Sequence, residues 1–240
     1  MNFYYFFFAI ILCAIFSAWA SMKVHSTFNA FSNEKLSSNM TGYDTAVRLL
    51  RANGIYNVSV ERTRGRLSDH FDPRKKVVRL SESTFGDNSV AAVAVAAHEI
   101  GHVVQKEKGY LPYKIRTALV PITNIGTFLA MPLVLIGLVL DLLVANMGDA
   151  GWYLALVGVV LYGLSTVFTL VTLPVELDAS RRAKKMLLEE GIVQEEESYG
   201  VGKVLTAAAM TYLAALLTSL VYFLRFAWYV FMLFGRNNRD

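Results

Sequence analysis

Four long apolar runs divide the chain: residues 3–20, 117–144, 151–173 and 204–234. A helix needs about 20 mostly apolar residues to cross a bilayer, so each run predicts a membrane segment. The first, at 18 residues, can just span. Ala18-Trp19-Ala20 looks like a small-residue cleavage site, but a signal peptide needs a positive charge before its apolar core and none is present. The run therefore reads as an uncleaved anchor. Pro121 and Pro132 break the second run. The fourth contains Arg225 and reads in two ways, as one tilted span or as a span to about Leu224 followed by an interfacial aromatic segment. A charge there is expensive in lipid, so Arg225 is expected to snorkel, pair or anchor at the interface.

The polar stretches carry the shorter elements. Residues 41–52 predict a helix capped by Thr41, with Ala46, Val47, Leu49 and Leu50 as its apolar stripe and Asn53-Gly54 as its stop. Residues 56–60 and 76–80 predict strands, with Asp72-Pro73 turning between them. Residues 76–80 are further expected to form an exposed edge that takes an extended substrate by strand addition. Asp87, Asn88 and Ser89 offer caps for a helix over 90–105. Lys106 and Lys108 suit its C-terminal dipole, and Gly109 suits its stop. The apolar stretch of that helix before His98 covers only 90–97, too short to span, which makes it a buried helix of a water-facing domain. Pro174 suits the first turn of a new helix, with Glu176 just behind it.

Composition agrees with a membrane protein. The 240 residues are 55% hydrophobic and 18% charged, against about 25% charged in soluble domains. Net charge is +4, and the basic residues cluster beside the apolar runs. They read as orientation signals and lipid headgroup contacts, so the lipid bilayer is an expected partner and nucleic acid is not. Cys13 is the single cysteine, so there is neither an intrachain disulfide nor a thiolate metal site. Lys23, Lys114 and Arg116 flank the first polar segment, and Arg181-Arg182-Ala183-Lys184-Lys185 opens the second. The connection at 146–151 has no basic residue. Positive-inside orientation then places 21–116 and 175–203 in the cytoplasm. The tail with Arg236 and Arg239 fits poorly with one full fourth span, and a re-entrant or interfacial ending would resolve the conflict.

The chemistry is concentrated in His98-Glu99-Ile100-Gly101-His102. Histidines four apart on a helix project from one face and can grip one zinc ion. In such sites the intervening Glu serves as general base toward a water whose pKa zinc lowers to roughly 7. Gly101 leaves the helix face thin, where the metal is expected to approach. The bland reading is an amphipathic helix with two core histidines. A catalytic zinc usually has three protein ligands and an open position. His25 and His70 are the other histidines, and Glu176 and Asp178 are acidic candidates on the same side of the membrane. Two spans lie between His102 and Glu176, so both return to one side, and Glu176 is the expected third ligand. Its bland alternative is a first-turn residue favoured by the helix dipole.

The segments at 26–32, 41–55, 64–82, 93–105 and 170–183 extend well beyond the five-residue motif. With them the chain resembles the YugP-type neutral zinc metallopeptidase family of bacterial membrane proteins over nearly its whole length. The resemblance implies a multi-pass membrane protein with zinc (Zn2+) at His98, His102 and Glu176, and Glu99 as catalytic base. More distantly, the site is similar to that of gluzincin peptidases, including HtpX-type membrane proteases. There Ala follows the metal-binding Glu by three positions and Asp by four. Ala179 fits, but position 180 is Ser. An aspartate in that role orients a metal-binding histidine. Here Ser180 would do so more weakly, or Asp178 would take over. His70, within Leu67 to Pro73, reads either as an oxyanion or capping group near the metal, or as part of a turn whose Asp69 and Asp72 satisfy backbone donors.

The expected fold is therefore mainly α, a multi-pass membrane protein with a small α+β, gluzincin-like cytoplasmic zinc-peptidase domain. Its parts are an N-terminal anchor (1–20), the peptidase domain (21–116), a two-span hairpin (117–174), a third-ligand helix with a polar loop (175–203), and a C-terminal membrane segment with its tail (204–240). The expected function is zinc-dependent endopeptidase action on peptide or membrane-protein substrates at the cell membrane. The rivals are a catalytically silent zinc-binding scaffold or regulator, and a protease facing the opposite side.

Overall fold

The computed structural model describes residues 3–143 and 149–234. The elements in chain order are α1 (Phe3–Ser32), α2 (Gly42–Ala52), β1 (Ser59–Arg62), β2 (His70–Asp72), β3 (Val77–Leu80), α3 (Glu82–Phe85), α4 (Val90–Glu107), α5 (Leu111–Leu143), α6 (Ala150–Glu189) and α7 (Glu195–Phe234). The fold is mainly helical, with one small sheet. Helices α1, α5, α6 and α7 are long and apolar enough to cross a membrane. Residues 146–148 of the 146–151 connection, and the tail with Arg236 and Arg239, lie outside the described residues.

The long helices outrun the apolar patterns that announced them. Helix α1 continues to Ser32, well past the expected end of the first run. Helix α5 passes through Pro121 and Pro132, and α6 passes through Pro174 without restarting. A helix–proline conflict costs one ladder hydrogen bond. Long apolar helices tolerate it when neighbours re-satisfy the freed group. Glu176 is accordingly an interior residue of α6, not a first-turn residue, and the helix-dipole reading of it fails. Helix α7 is likewise unbroken at Leu224.

The chain forms two compact units. One comprises 1–17, 114–173 and 212–240, the other 18–113 and 174–211. Within the first, glycines set helix spacing: a Cβ on Gly158 would fall 2.6 Å from the Ala130 carbonyl oxygen. Small residues permit such approach where lipid supplies no hydrophobic drive for packing. Val134, Ala155, Val159, Val230 and Phe234 form its core, with Trp152 against Phe231 and Phe234. The Arg225 guanidinium lies over the Tyr229 ring at 5.5 Å, so this charge in an apolar helix finds an aromatic face.

The second unit is built around α4. Val90 to Ala94, Ala96 and Ala97 are all buried, as expected for a helix apolar on every side. Ser89 caps it by accepting from Ala92 N–H. Helix α2 packs on α4 with Leu49 and Leu50 and begins in a capping box between Thr41 and Asp44. The sheet order is β1-β3-β2, with β1 parallel and β2 antiparallel to β3. Strand β3 is thus central, and the expectation of an exposed edge at 76–80 is overturned. Both of its sides are already hydrogen-bonded, because β2 at His70–Asp72 folds back onto it through the Asp72-Pro73 turn. Val77, Val78 and Leu80 are all buried, as in an inner strand. Strand β1 begins at Ser59, three residues later than expected.

Candidate metal centre

Helix geometry places His98 and His102 one turn apart on α4, with ring centroids 4.8 Å apart and planes at 84°. Glu176 approaches from α6. Its Oε2 lies 3.2 Å from His98 Nε2 and 3.3 Å from His102 Nε2. The three ligand atoms sit within 4.8 Å of one another. Glu176 is almost completely buried, and both histidines are largely so.

Gly101 explains how α6 comes so near. A Cβ at this position would stand 2.6 Å from the Ala179 carbonyl oxygen and 3.1 Å from Ala179 Cα. The bare face at Gly101 therefore receives the backbone of α6, not a metal as anticipated. Ala179, fully buried, is the matching small residue on the other helix. A larger pair would move Glu176 away from the histidines.

Each imidazole is held from behind. Ser180 Oγ lies 3.2 Å from His98 Nδ1. His102 Nδ1 lies 3.1 Å from Gln105 Oε1, and Gln105 Nε2 donates to Val175 O at 2.7 Å and to Asp178 Oδ2 at 3.0 Å. Of the two alternatives for an orienting group, Ser180 stands beside His98, and Asp178 touches Gln105, which faces His102. Gln105 was missed in the sequence. A signal existed, because His98, His102 and Gln105 stand at i, i+4 and i+7 on one helical face.

The donor set fits a cation. His98 Nε2 and His102 Nε2 both turn toward one oxygen of Glu176, at 3.2 and 3.3 Å. Two imidazoles and one carboxylate are a donor set suited to zinc.

Glu99 follows His98 and is buried. Burial pushes its carboxyl up to about 7; the charge of His98 opposes this, Asp69 and Glu176 reinforce it, and His70 opposes it. His70 itself lies outside the three-residue cluster. It is exposed on β2, with Nδ1 2.9 Å from Ser68 O and Nε2 3.5 Å from Arg79 Nη1. Its neighbours behave as turn residues. Asp69 accepts from Ser81 N–H and Ser81 Oγ–H, and Asp72 accepts from the Arg74 and Lys75 N–H groups.

A family model described as "Putative neutral zinc metallopeptidase" matches residues 5–231. The chain belongs to this family. It is also 42% identical over 224 residues to "Putative membrane protease YugP" of Bacillus subtilis (strain 168), a match covering 93% of each chain. No solved structure matches it. The family's metal is zinc, and His98, His102 and Glu176 form a group able to hold it.

Two predictions follow from this geometry. Gly101→Ala should destabilise the protein by about 1–3 kcal/mol through overpacking and lower zinc affinity at least roughly tenfold as Glu176 is displaced. Thermal melts and zinc titration read both effects. Gly→Ala in an uncrowded helix would stabilise by up to about 1 kcal/mol, so a higher melting temperature would refute the close approach. Glu99 makes metal-free stability depend on pH. Its carboxyl titrates higher folded than unfolded, so its contribution is complete below about 4.5 and is lost as pH rises through about 7. Melting temperature should fall across that window, and Glu99→Gln should flatten the decline.

Proposed function

We propose that this chain is a membrane-bound zinc-dependent endopeptidase. The carrying observation is the cluster of His98, His102 and Glu176 with a buried carboxyl, Glu99, beside its first histidine. Family membership and the membrane protease YugP as a relative support the same reading. His98, His102 and Glu176 would hold the metal. Zinc, when bound, supplies Lewis acidity that acidifies a water and polarises the scissile carbonyl.

The chain's own residues do the remaining work. Glu99, poised near neutrality, takes the proton of the attacking water as its oxygen bonds to the carbonyl carbon. It then delivers that proton to the amide nitrogen as the C–N bond breaks. Ser180 and Gln105 hold the two imidazoles, so that neither has to reorient during turnover. Burial around the cluster strengthens every charge interaction there. His70 joins this reading only through its charge, which acts on Glu99 from β2.

The peptidase part is proposed to be gluzincin-like, with metal-binding groups shared between two helices, and to face the cytoplasm. Lys23, Lys114, Arg116 and the cluster at 181–185 favour that side. Proposed substrates are peptides or membrane proteins cut close to the bilayer, since Glu176 stands three residues past the end of the third apolar run.

Purified wild-type protein should contain about one zinc per chain. Glu99→Gln should keep the metal and lose peptide cleavage, whereas His98→Ala should lose the metal. A fully active Glu99→Gln protein would refute the general base, and a zinc-loaded, inactive wild type would favour a scaffold role. Orientation is tested in a Cys13→Ser background carrying either Val60→Cys or Gly148→Cys. An impermeant thiol reagent applied to intact cells should label position 148 and spare position 60. The reverse pattern would place the site outside.

A further inference from the structure

His102 can carry its neutral proton on either ring nitrogen, and only one choice leaves Nε2 free toward Glu176. We infer that Gln105 is a positioning residue that imposes this choice and couples His102 to the charge of Asp178. The inference rests on the zinc reading above.

The amide of Gln105 is wholly buried, so its orientation must be satisfied within the protein. Its Nε2 faces Val175 O at 2.7 Å and Asp178 Oδ2 at 3.0 Å. A backbone carbonyl only accepts, and so does an ionised carboxylate. Both N–H bonds of the amide are therefore committed. A flipped amide would set its oxygen against two oxygens and leave buried donors without partners, at a cost of about 1–3 kcal/mol for each unsatisfied group. Oε1 is then the atom facing His102, 3.1 Å from Nδ1, and it can only accept. Nδ1 must therefore carry a hydrogen, and in the neutral ring Nε2 is the lone pair on the side of Glu176.

Asp178 is itself held in place. It is buried, and its two oxygens take Arg181 Nη2 and Arg182 Nε, each at 2.5 Å. Arg182 in turn lies over the Tyr110 ring at 5.5 Å. A negative charge at the far end of a buried amide polarises it and makes Oε1 a stronger acceptor. The imidazole becomes a better electron donor at Nε2, as when a carboxylate bonds a metal-binding histidine directly. Here an amide is interposed, and it reaches the carboxylate across from α4 to α6.

His98 is treated differently. Ser180 Oγ can donate to Nδ1 or accept from it, so it imposes no tautomer. The two histidines of the motif are thus unequal: His102 is set in advance, and His98 can adjust.

A purely mechanical role for Gln105, clamping α4 to α6, would support stability but leave the proton on His102 unspecified. The two roles separate in the full-length protein in nanodiscs, metal-free, with 15N-labelled histidine, followed over a pH series in which the 15N shifts distinguish the doubly protonated ring from each neutral form. Nitrogen–proton correlation spectra should show wild-type His102 protonated at Nδ1. Gln105→Met, similar in size but without the amide, should lose that preference and bind zinc about 10–100-fold more weakly in competition with a chromophoric chelator. Ser180→Ala should leave the His102 signal unchanged. Wild-type His102 protonated at Nε2 would overturn the inference, and this needs no variant to fold. An unchanged His102 tautomer in Gln105→Met would overturn it too, as would unchanged zinc affinity. If wild-type protein binds no zinc yet His102 carries its Nδ1 proton, the hold of Gln105 on the ring stands and the zinc reading fails.

Discussion

The chemistry of this protein depends on how closely α4 and α6 approach at Gly101 and Ala179. A carboxylate side chain is short, and Glu176 reaches both histidines only because no Cβ stands between the helices at that level. Glycine inside a helix costs roughly 0.5–1 kcal/mol relative to alanine. That cost is small beside the burial of the apolar face of α4, whose alanines and valines fill the core around it. The same contact brings Val175, Asp178 and Ser180 within reach of α4, so one packing decision positions the metal-binding groups and the groups behind them.

Burial then does two things at once. It makes every unsatisfied polar group costly, and several side chains around the cluster are paired: Ser180 with His98, Gln105 with His102, Asp178 with two arginines. The Nε2 atoms of both histidines and Glu176 Oε2 turn on one another, in a group able to hold a metal ion. Burial also lifts the carboxyl of Glu99 to about 7, the range in which a group can both take and give a proton near neutral pH.

The small sheet shows how local pattern misleads. Residues 77–80 have the β-branched, apolar character of a strand, and they are one. Whether a strand lies at an edge depends on what pairs with it, and β2 is three residues long with a histidine and an aspartate, too short and polar to announce itself. Proline misled in the opposite direction. Pro121, Pro132 and Pro174 each suggested an interruption, yet α5 and α6 continue through them, as membrane-type helices can when the freed backbone groups are re-satisfied by neighbours.

Local features settled much in advance. Four apolar runs marked the long helices, the Thr41 and Ser89 caps marked two helix starts, and two histidines with a glutamate marked the chemistry, since spacing along a helix fixes which side chains share a face. Glu176 could be nominated from the sequence through topology and family likeness. Its distance from the histidines could not, because that depends on the backbone contact between Gly101 and Ala179, residues 78 positions apart. Gln105 lay in view on the same helical face, yet nothing local separates it from any other polar residue near a helix end. Its role emerges only when α6 supplies the carbonyl of Val175 and the carboxylate of Asp178, which commit its amide and through it the proton on His102. Periodicity and spacing act over one or two turns and are written in the chain; the partner that makes a buried polar group useful comes from another helix, and only packing delivers it.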